Sequence, residues 1–239
     1  LEYARCFGEL DIVDAELIGE HGLAFLVGTG ERRRLVLADA RRPEGERWCS
    51  VELDGKSGCI TAASQAVASV LVAEAWRLRA FALDGRVVED TSLSQEDEAR
   101  RIGRGGIGRL RQVHGRSWAC GARFSLGERL GPGDWRWWID GHAPEIQQDR
   151  LGPRFVDVDG FADGDVYALL DDAVWRRQGL HWECVREAQP RLPLTRLCCG
   201  EDGQVYLGSP LGQLLCGRDR TWKPVQGKDP MGRFEDLVW

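Results

Sequence analysis

Four aspartates form the densest group of side chains in this 239-residue chain that could do chemistry; they are Asp157, Asp159, Asp163 and Asp165. Carboxylate oxygens are the ligands that calcium prefers. An EF-hand loop also needs a carboxylate at its twelfth position, and Ala168 stands there. We therefore interpret these aspartates as turn residues between two strands, and we predict neither a metal site nor a cofactor.

Two kinds of sequence could bind phosphate. Residues 103–108 (Gly-Arg-Gly-Gly-Ile-Gly) look like a phosphate-binding loop, but such loops follow a strand and open a helix. Here a charged stretch precedes the glycines and a strand pattern follows, which favours an exposed loop. Arginine runs at 32–34, 41–42 and 100–101 could contact phosphates as well. The net charge of −6 is not the basic excess of a nucleic-acid binder, so we predict no nucleic-acid partner.

The histidines and cysteines predict no catalytic centre. The four histidines are scattered, and His181 lies three residues from Cys184 without the spacing that builds a nucleophile and its base. None of the eight cysteines forms a C-x-x-C pair, and most lie in apolar runs. Reduced, buried cysteines in a cytoplasmic protein fit this pattern best. A secreted disulfide framework and a metal site remain as alternatives.

The hydropathy pattern predicts no membrane partner. The longest uncharged run, residues 59–73, is too short to cross a bilayer and does not lie at the N-terminus, where a signal sequence would be. The only methionine is Met231, so we expect that the sequence as given starts after the natural initiator.

An internal repeat organises the chain. When residues 155–185 are laid over residues 194–225, Asp-Gly meets Asp-Gly, Val-Tyr meets Val-Tyr, and Trp182 meets Trp222. The offset is 39 residues early in the unit and 40 late, so one insertion accounts for the difference. Asp-Gly between alternating strands is a strong hairpin signal.

Four antiparallel strands in about 40 residues are typical of one β-propeller blade. Looser units of the same shape cover residues 14–53, 58–90 and 108–138. We predict an all-β chain, a β-propeller of about five to six four-stranded antiparallel blades, folded as one domain over residues 1–239. Residues 1–10 and 234–239 would supply closing strands or part of a sixth blade. Residues 61–76 are alanine-rich and could instead form a buried helix.

The two clear repeats, with their Asp-Gly-x-Val-Tyr sequence and late tryptophan, resemble the blades of bacterial β-propellers in the BNR, kelch and WD40 style. The resemblance covers residues 155–225 well and the remainder in outline, and the chain has neither a kelch double glycine nor a WD dipeptide in these units. Some such domains are immunity proteins, which bind and block toxins delivered by contact-dependent systems such as type VI secretion. A composition of 29 arginines to three lysines suggests a GC-rich bacterial genome.

The tryptophan-rich stretch 134–139 predicts a partner surface. In a strand, Trp135 and Trp137 share one face while Arg136 and Trp138 share the other, so at least one tryptophan face must meet a neighbouring blade or be exposed. Exposed tryptophan and arginine are typical of binding hot spots. We predict that Arg136, Trp138 and His142 contribute to a partner surface, with packing between blades as the alternative.

Two functions remain open. The first is a non-enzymatic protein-binding module whose acidic surface complements a basic partner, which for an immunity protein is a cognate toxin such as a nuclease. The second is a propeller hydrolase or lyase with its site in the central channel, whose candidate residues on inner strands are Glu16, Asp157, Asp159, Thr195 and Glu235. Carboxylates from several blades that converge on one point would favour the enzyme, and a plugged channel would favour the binding module.

Overall fold

The computed structural model describes residues 7, 10–30, 32–54, 58–63, 68–74, 77–93, 106–122, 125–138, 154–162, 164–179, 181–189, 192–225, 232, 234 and 236–239. These residues form five four-stranded sheets, which we call blades 1 to 5 in chain order. Each sheet is built from consecutive strands, and every strand pairs antiparallel with its neighbour. The all-β class and the four-stranded blades predicted from the repeat are confirmed.

The strand bounds are as follows. Blade 1 contains β1 (Asp11–Ile18), β2 (Gly22–Thr29), β3 (Arg32–Asp39) and β4 (Trp48–Leu53). Blade 2 contains β5 (Cys59–Ala63), β6 (Ser69–Glu74), β7 (Arg77–Ala82) and β8 (Val87–Ser92). Blade 3 contains β9 (Ile107–Val113), β10 (Arg116–Gly121), β11 (Leu126–Gly131) and β12 (Asp134–Trp137). Blade 4 contains β13 (Phe155–Ala162), β14 (Asp165–Leu170), β15 (Ala173–Gln178) and β16 (His181–Arg186). Blade 5 contains β17 (Arg196–Cys199), β18 (Val205–Gly208), β19 (Leu214–Arg218) and β20 (Thr221–Pro224).

Position within a blade explains the composition of each strand. The second strands β6, β10 and β14 are almost entirely buried because neighbouring blades cover both of their faces, and they are accordingly rich in apolar residues. The outermost strands β12 and β20 contain only exposed and half-buried residues. Tight hairpins join the strands, as at His114 and Gly115, whose φ angles of 45° and 75° are those of a two-residue hairpin turn.

The apolar core lies between the blades. One cluster joins blades 1 and 2 through Leu26, Leu35, Val70 and Phe81, and further clusters join each later pair. The innermost strands β1, β5, β9, β13 and β17 contact one another in succession and form the wall of a central channel. No helix in the described part of the chain is long and apolar enough to span a bilayer.

The repeat seen in the sequence is also a repeat in space. Trp182 packs against the cluster between blades 3 and 4, and Trp222 packs against the cluster between blades 4 and 5. Tyr167 faces blade 5, and Tyr206 faces the C-terminal segment that lies on the far side of blade 5. Each aromatic pair therefore occupies equivalent places in successive blades.

The observed sheets span residues 11–53, 59–92, 107–137, 155–186 and 196–224. No boundary differs by more than three residues from the interval that the sequence predicted. Residues 59–63 and 69–74 are strands, so the helix considered for residues 61–76 is wrong where the structure describes that segment. The glycine-rich residues 103–105 and the charged run before them lie outside the described residues.

Segments near both ends of the sequence pack on blades 1 and 5, on the faces that are turned away from blades 2 and 4. Phe7 packs on the face of blade 1 turned away from blade 2, against Val27, Val36 and Trp48. Phe234 and residues 236–239 lie on the face of blade 5 turned away from blade 4. We expected closing strands or part of a sixth blade here, and the described residues of both segments lie outside strands.

Candidate functional site

Carboxylates on the inner strands join one blade to the next. Asp157 accepts a hydrogen bond from the amide of Leu197 at 3.0 Å, and Asp159 accepts one from the amide of Cys199 at 2.9 Å. Because side chains two residues apart point to the same face of a strand, β13 forms both bonds with β17. Two of the four aspartates that looked like calcium ligands in the sequence, Asp157 and Asp159, are thus bound to the backbone of the next blade.

Blade 1 repeats this arrangement. Asp14 accepts a hydrogen bond from the amide of Ile60 at 2.9 Å, and the amide of Ala62 donates to Glu16. We call these four carboxylates (Asp14, Glu16, Asp157 and Asp159) the inner-strand staples. Each fixes the position of one inner strand along the propeller axis relative to the next inner strand. Each also satisfies a backbone donor that would otherwise face the channel.

Burial raises the pKa of the carboxyls of Asp14 and Glu16, and the amide bonds from Ile60 and Ala62 oppose that shift. Burial also raises the pKa of Asp157, against the opposing effect of the guanidiniums of Arg111 and Arg109. In all three groups the loss of hydration favours the neutral acid, while the bound donors favour the anion.

Two arginines on β9 cross the channel. Arg109 Nε lies 3.4 Å from Asp157 Oδ1, and its guanidinium also donates to the Asp236 carboxylate. Arg111 lies 3.8 Å from Asp159 Oδ2 and 3.6 Å from Asp236 Oδ1. On β9 these two arginines stand at the positions that two carboxylates occupy on β1 (Asp14 and Glu16) and on β13 (Asp157 and Asp159). The arginines therefore join blades 3 and 4 to the C-terminal segment.

The C-terminal segment (Phe234 and residues 236–239, here called the tail) is held by backbone and ring contacts as well. Arg111 Nη2 donates to the carbonyl oxygens of Leu197 at 3.0 Å and Leu237 at 3.1 Å. The ring of Trp239 stacks on Tyr206, with centroids 5.4 Å apart and an interplanar angle of 25°. Gly200 leaves room for that ring, because a Cβ there would come within 2.8 Å of it.

This ion-paired layer divides the channel. A cavity of about 400 Å³, here called the channel mouth, lies on one side of the layer. A cavity of about 470 Å³ lies on the other side. Asp14, Arg109 and Asp236 line both cavities, so they form the partition between them. The channel mouth is bounded by residues 14–16 of β1, residues 109–112 of β9, Asp159 and the end of the tail, among other residues.

A cavity of about 510 Å³ lies away from the channel, at the edge of blade 1. The guanidinium of Arg34 pairs with Glu52 at 2.5 Å there. Because charges from blades 1, 3 and 4 and from the tail converge on the channel, we place the candidate functional site at the channel mouth.

The tryptophans of the stretch 134–139 pack toward two different blades. Trp135 and Trp137 stack on each other and pack against the cluster between blades 2 and 3. Trp138 packs toward blade 4, where its ring lies 6.1 Å from that of Trp182 and 4.4 Å from the Arg177 guanidinium. Packing between blades, the alternative that the sequence left open, is therefore present at Trp138.

The other predicted site residues are more dispersed. Arg136 is exposed and lies 3.8 Å from the buried Glu128 and 6.0 Å from the Trp138 ring. His142 lies outside the described residues, as do Asp163 and Glu235. The Thr195 amide donates to the Gly208 carbonyl at 2.9 Å. A partner surface at Arg136, Trp138 and His142 stays a prediction.

Among the described residues, the cysteines and carboxylates form neither a disulfide nor a cluster of metal ligands. Within that part of the chain no group of three or more His, Cys, Asp or Glu side chains is placed to hold a metal ion. The seven described cysteines are in the thiol form, and burial raises the pKa of Cys59 to about 12. Asp165, the remaining described member of the acidic group, pairs with Arg176 at 2.8 Å and Arg218 at 2.6 Å.

Sequence reasoning missed the arginine pair and its partner Asp236. The signal was present, since Arg109-Leu-Arg111 has the same alternation as Asp14-Ala-Glu16 and Asp157-Val-Asp159. An alignment of the loose third unit with the fourth would have put charged residues of opposite sign on adjacent inner strands.

The sheet order and the channel define a β-propeller. Solved structures with the same architecture include a streptogramin B lyase (TM-score 0.64, 11% identity, 95% of this chain and 72% of that chain). A virginiamycin B lyase from Staphylococcus aureus matches with a TM-score of 0.66 and 11% identity, over 95% of this chain and 74% of that one. The WD40 repeats of RRP9 match with a TM-score of 0.63 and 11% identity, over 95% and 69%. At these identities the likeness shows the fold alone.

Among curated proteins, the chain is similar to the immune protein Tsi7 of Pseudomonas aeruginosa. The two are 29% identical over 164 residues, which cover 68% of this chain and 53% of Tsi7. The chain thus matches about half the length of this relative. No family model matches the sequence. The resemblances to β-propellers and to an immunity protein that the sequence predicted are both confirmed as resemblances.

Proposed function

We propose that this protein is a non-enzymatic immunity protein, a propeller that binds a cognate toxin protein and occludes its active site. The observation that carries the proposal is that the channel carboxylates are bound to other groups of the same chain. Asp14, Asp157 and Asp159 accept hydrogen bonds from inner-strand amides of the next blade, and the arginine pair closes the channel against Asp236. These groups hold blades together, as a binding scaffold requires. The similarity to the immune protein Tsi7 supports the same function.

The partner in this proposal is a basic protein, for which a toxin nuclease is the natural class. An enzyme that grips phosphates carries a cationic cleft, and a net charge of −6 on this chain attracts such a surface over long range. Occlusion would follow from contact between one rim of the propeller and that cleft. A reducing cytoplasm, where such a nuclease acts on nucleic acid, is the proposed location.

A second candidate function is a hydrolase or lyase with a site in the channel mouth. The observation in its favour is the raised pKa of Asp14 and Glu16, caused by their burial beside an open cavity. Perturbed carboxyls at a cavity are candidate acids or bases. The two functions differ in stoichiometry. One molecule of a binding protein neutralises one molecule of toxin, whereas one molecule of an enzyme that acts on the toxin would inactivate many.

The experiment titrates the purified protein into a fixed amount of a candidate toxin, chosen from the products of the genes that neighbour its own, with residual toxin activity as the readout. The binding module predicts a linear fall that reaches its end at one equivalent. Loss of toxin activity at a small fraction of one equivalent, progressing with time, would establish the enzyme instead. A toxin that keeps full activity at several equivalents would contradict the immunity function.

A further inference from the structure

The second channel cavity, which has a volume of about 470 Å³, carries more positive than negative charge. The described residues that line it include three guanidiniums and two carboxylates, namely those of Arg109, Arg154, Arg196, Asp14 and Asp236. The channel mouth has the opposite balance, with four carboxylates and two guanidiniums among its described lining residues. The ion-paired layer thus separates an acidic side of the channel from a basic one.

The three arginines reach this cavity from three different blades. Arg109 lies on β9, Arg154 immediately precedes β13, and Arg196 is the first residue of β17. Cations that converge in one cleft repel one another unless an anion lies between them, and the low-dielectric walls of a cleft strengthen that field. The two carboxylates supply less negative charge than the three guanidiniums require, so the cavity favours an additional anion.

Both carboxylates of the cavity are bound to other groups of this chain. Asp14 accepts one amide hydrogen from β5 and one from its own strand, each at 2.9 Å. Asp236 accepts a bond from the Arg109 guanidinium and lies 3.6 Å from Arg111, which lines the channel mouth. The negative charge of the cavity is therefore directed to backbone amides and to the arginine pair of β9.

Arg154 combines a fixed backbone with a guanidinium that no described residue neutralises. Its amide donates to the Asp171 carboxylate at 3.2 Å, and its carbonyl accepts the Asp171 amide hydrogen at 2.8 Å. Arg196 Nη1 donates to the carbonyl of Thr195 at 2.7 Å, and a guanidinium has five N–H groups, so that bond is compatible with contact to an anion. An anchored arginine without a counter-charge, beside a cavity, is a candidate anion ligand.

The cavity is open enough for a small molecule. Its volume lies within the range of about 300–1,000 Å³ that is usual for ligand pockets. Gly58 and Gly108 line it, and a Cβ at either position would meet nothing within 4 Å. Empty space therefore extends over both of these backbone positions, beside the arginines.

We propose that the second channel cavity binds a small oxyanion of the phosphate class that carries two or more charges. Arg154 and Arg196 donate to its oxygens from adjacent blades, and Arg109 adds its charge from the partition. Guanidinium forks form paired, charge-assisted hydrogen bonds with phosphate oxygens. A phosphate presents oxygens in several directions and so meets donors from different strands, whereas a single carboxylate is planar. The site uses only this chain, so it does not depend on the proposed immunity function.

The test measures anion binding to the full chain by isothermal titration calorimetry. Sodium phosphate, sodium pyrophosphate and sodium citrate are the probes, at one ionic strength set with sodium chloride. We expect pyrophosphate to bind most tightly and Arg154→Gln to weaken its binding about tenfold, as loss of one charge-assisted hydrogen bond does.

Arg220→Gln is the matched control. Arg220 is exposed in the turn between β19 and β20 and pairs with Glu183, so it does not line the cavity. Its replacement removes the same charge from the chain, and salt screens that charge from the cavity. The affinity of Arg220→Gln should therefore stay within about twofold of the wild type.

A second pair of variants tests the place of the anion without removing an arginine. Gly58→Asp adds a carboxylate beside the cavity, where the space is empty, and should weaken pyrophosphate binding by repulsion. Gly58→Asn has nearly the same shape without the charge and should bind as the wild type does. The melting temperature of each variant reports whether it is folded.

Three outcomes would overturn the inference. The first is a wild-type protein that binds neither phosphate nor pyrophosphate. The second is equal affinity in Arg154→Gln and Arg220→Gln together with equal affinity in the two Gly58 variants, which would show that the anion is held elsewhere or by overall charge. The third is tighter binding of citrate than of pyrophosphate, which would identify a carboxylate ligand. Toxin neutralisation is a separate measurement, so each of these outcomes leaves the proposed function standing.

Discussion

Asp157 on β13 is completely buried, and its carboxylate accepts the amide hydrogen of Leu197 on β17, 40 residues away. Asp14 and Ile60 form the equivalent bond between blades 1 and 2. A buried carboxylate needs donors, and in both of these places the adjacent inner strand supplies one. The propeller is therefore held at its axis by polar contacts and farther out by apolar packing between blades.

The first prediction concerns the Asp157 staple. Asp157→Ala leaves the Leu197 amide without its acceptor and two arginines without their buried counter-charge. Removal of one partner from a buried ion pair costs about 3–5 kcal/mol. We expect a loss of about 3 kcal/mol in the free energy of unfolding, measured by urea denaturation. Asp134→Ala, at an exposed residue of β12, is the control and should change that free energy little. Equal stability of the two variants would show that the bond does not hold the blades.

The second prediction concerns the acid stability of blade 1. Asp39 accepts two bonds from the Arg41 guanidinium, at 2.9 and 2.8 Å, and these lower the pKa of the Asp39 carboxyl to about 2. A lowered pKa in the folded state means that the unfolded chain binds the proton first, so this contribution is present above pH 4 and is lost as the pH falls toward 2.

Asp39→Asn should therefore lose stability at pH 7 but show a smaller further loss between pH 4 and pH 2 than the wild type. Thermal unfolding over that range is the measurement. Parallel pH profiles for wild type and variant would show that another carboxylate dominates the acid response.

The third prediction separates packing from binding at the tryptophan-rich strand. Trp138→Ala removes a ring packed against Trp182 and Arg177, and truncation of a packed tryptophan costs about 3–5 kcal/mol. We expect a markedly lower melting temperature in this variant.

Arg136→Ala removes an exposed side chain of the same strand, so its melting temperature should stay close to that of the wild type. If Arg136 belongs to a partner surface, this variant weakens toxin binding. Unchanged affinity in both variants would refute the partner surface and leave Trp138 as a packing residue.

The fourth prediction concerns the packing of the tail against blade 5. A Cβ at Gly200 would come within 2.8 Å of the Trp239 ring and 2.6 Å of Asp202 Oδ1. Gly200→Ala should displace the ring from Tyr206 and speed hydrogen exchange in the C-terminal peptide, because an opened segment loses its protection. A Cβ at Gly108 meets nothing within 4 Å, so Gly108→Ala is the control. Unchanged exchange in Gly200→Ala would mean that the ring does not depend on this glycine.

The sequence by itself determined the local structure. Asp-Gly turns, alternating strands and the 39-residue offset predicted four-stranded blades, because turn geometry and side-chain alternation depend on neighbouring residues. The same alternation predicted that Trp135 and Trp137 share a face. It did not predict that Trp135 and Trp137 pack toward blade 2 while Trp138 packs toward blade 4, since each contact is completed by a different blade.

Only the tertiary structure decided what the charged residues do. Arg109 meets Asp236 across 127 residues, and no local pattern links the two positions. Alternation assigns a carboxylate to one face of an inner strand, but the position of the next strand decides whether that carboxylate binds calcium, acts as an acid or accepts an amide hydrogen. The amides of Leu197 and Cys199 come within reach of Asp157 and Asp159 only when adjacent blades pack around one axis. Contacts between distant parts of the chain depend on that packing, and a sequence records it only indirectly.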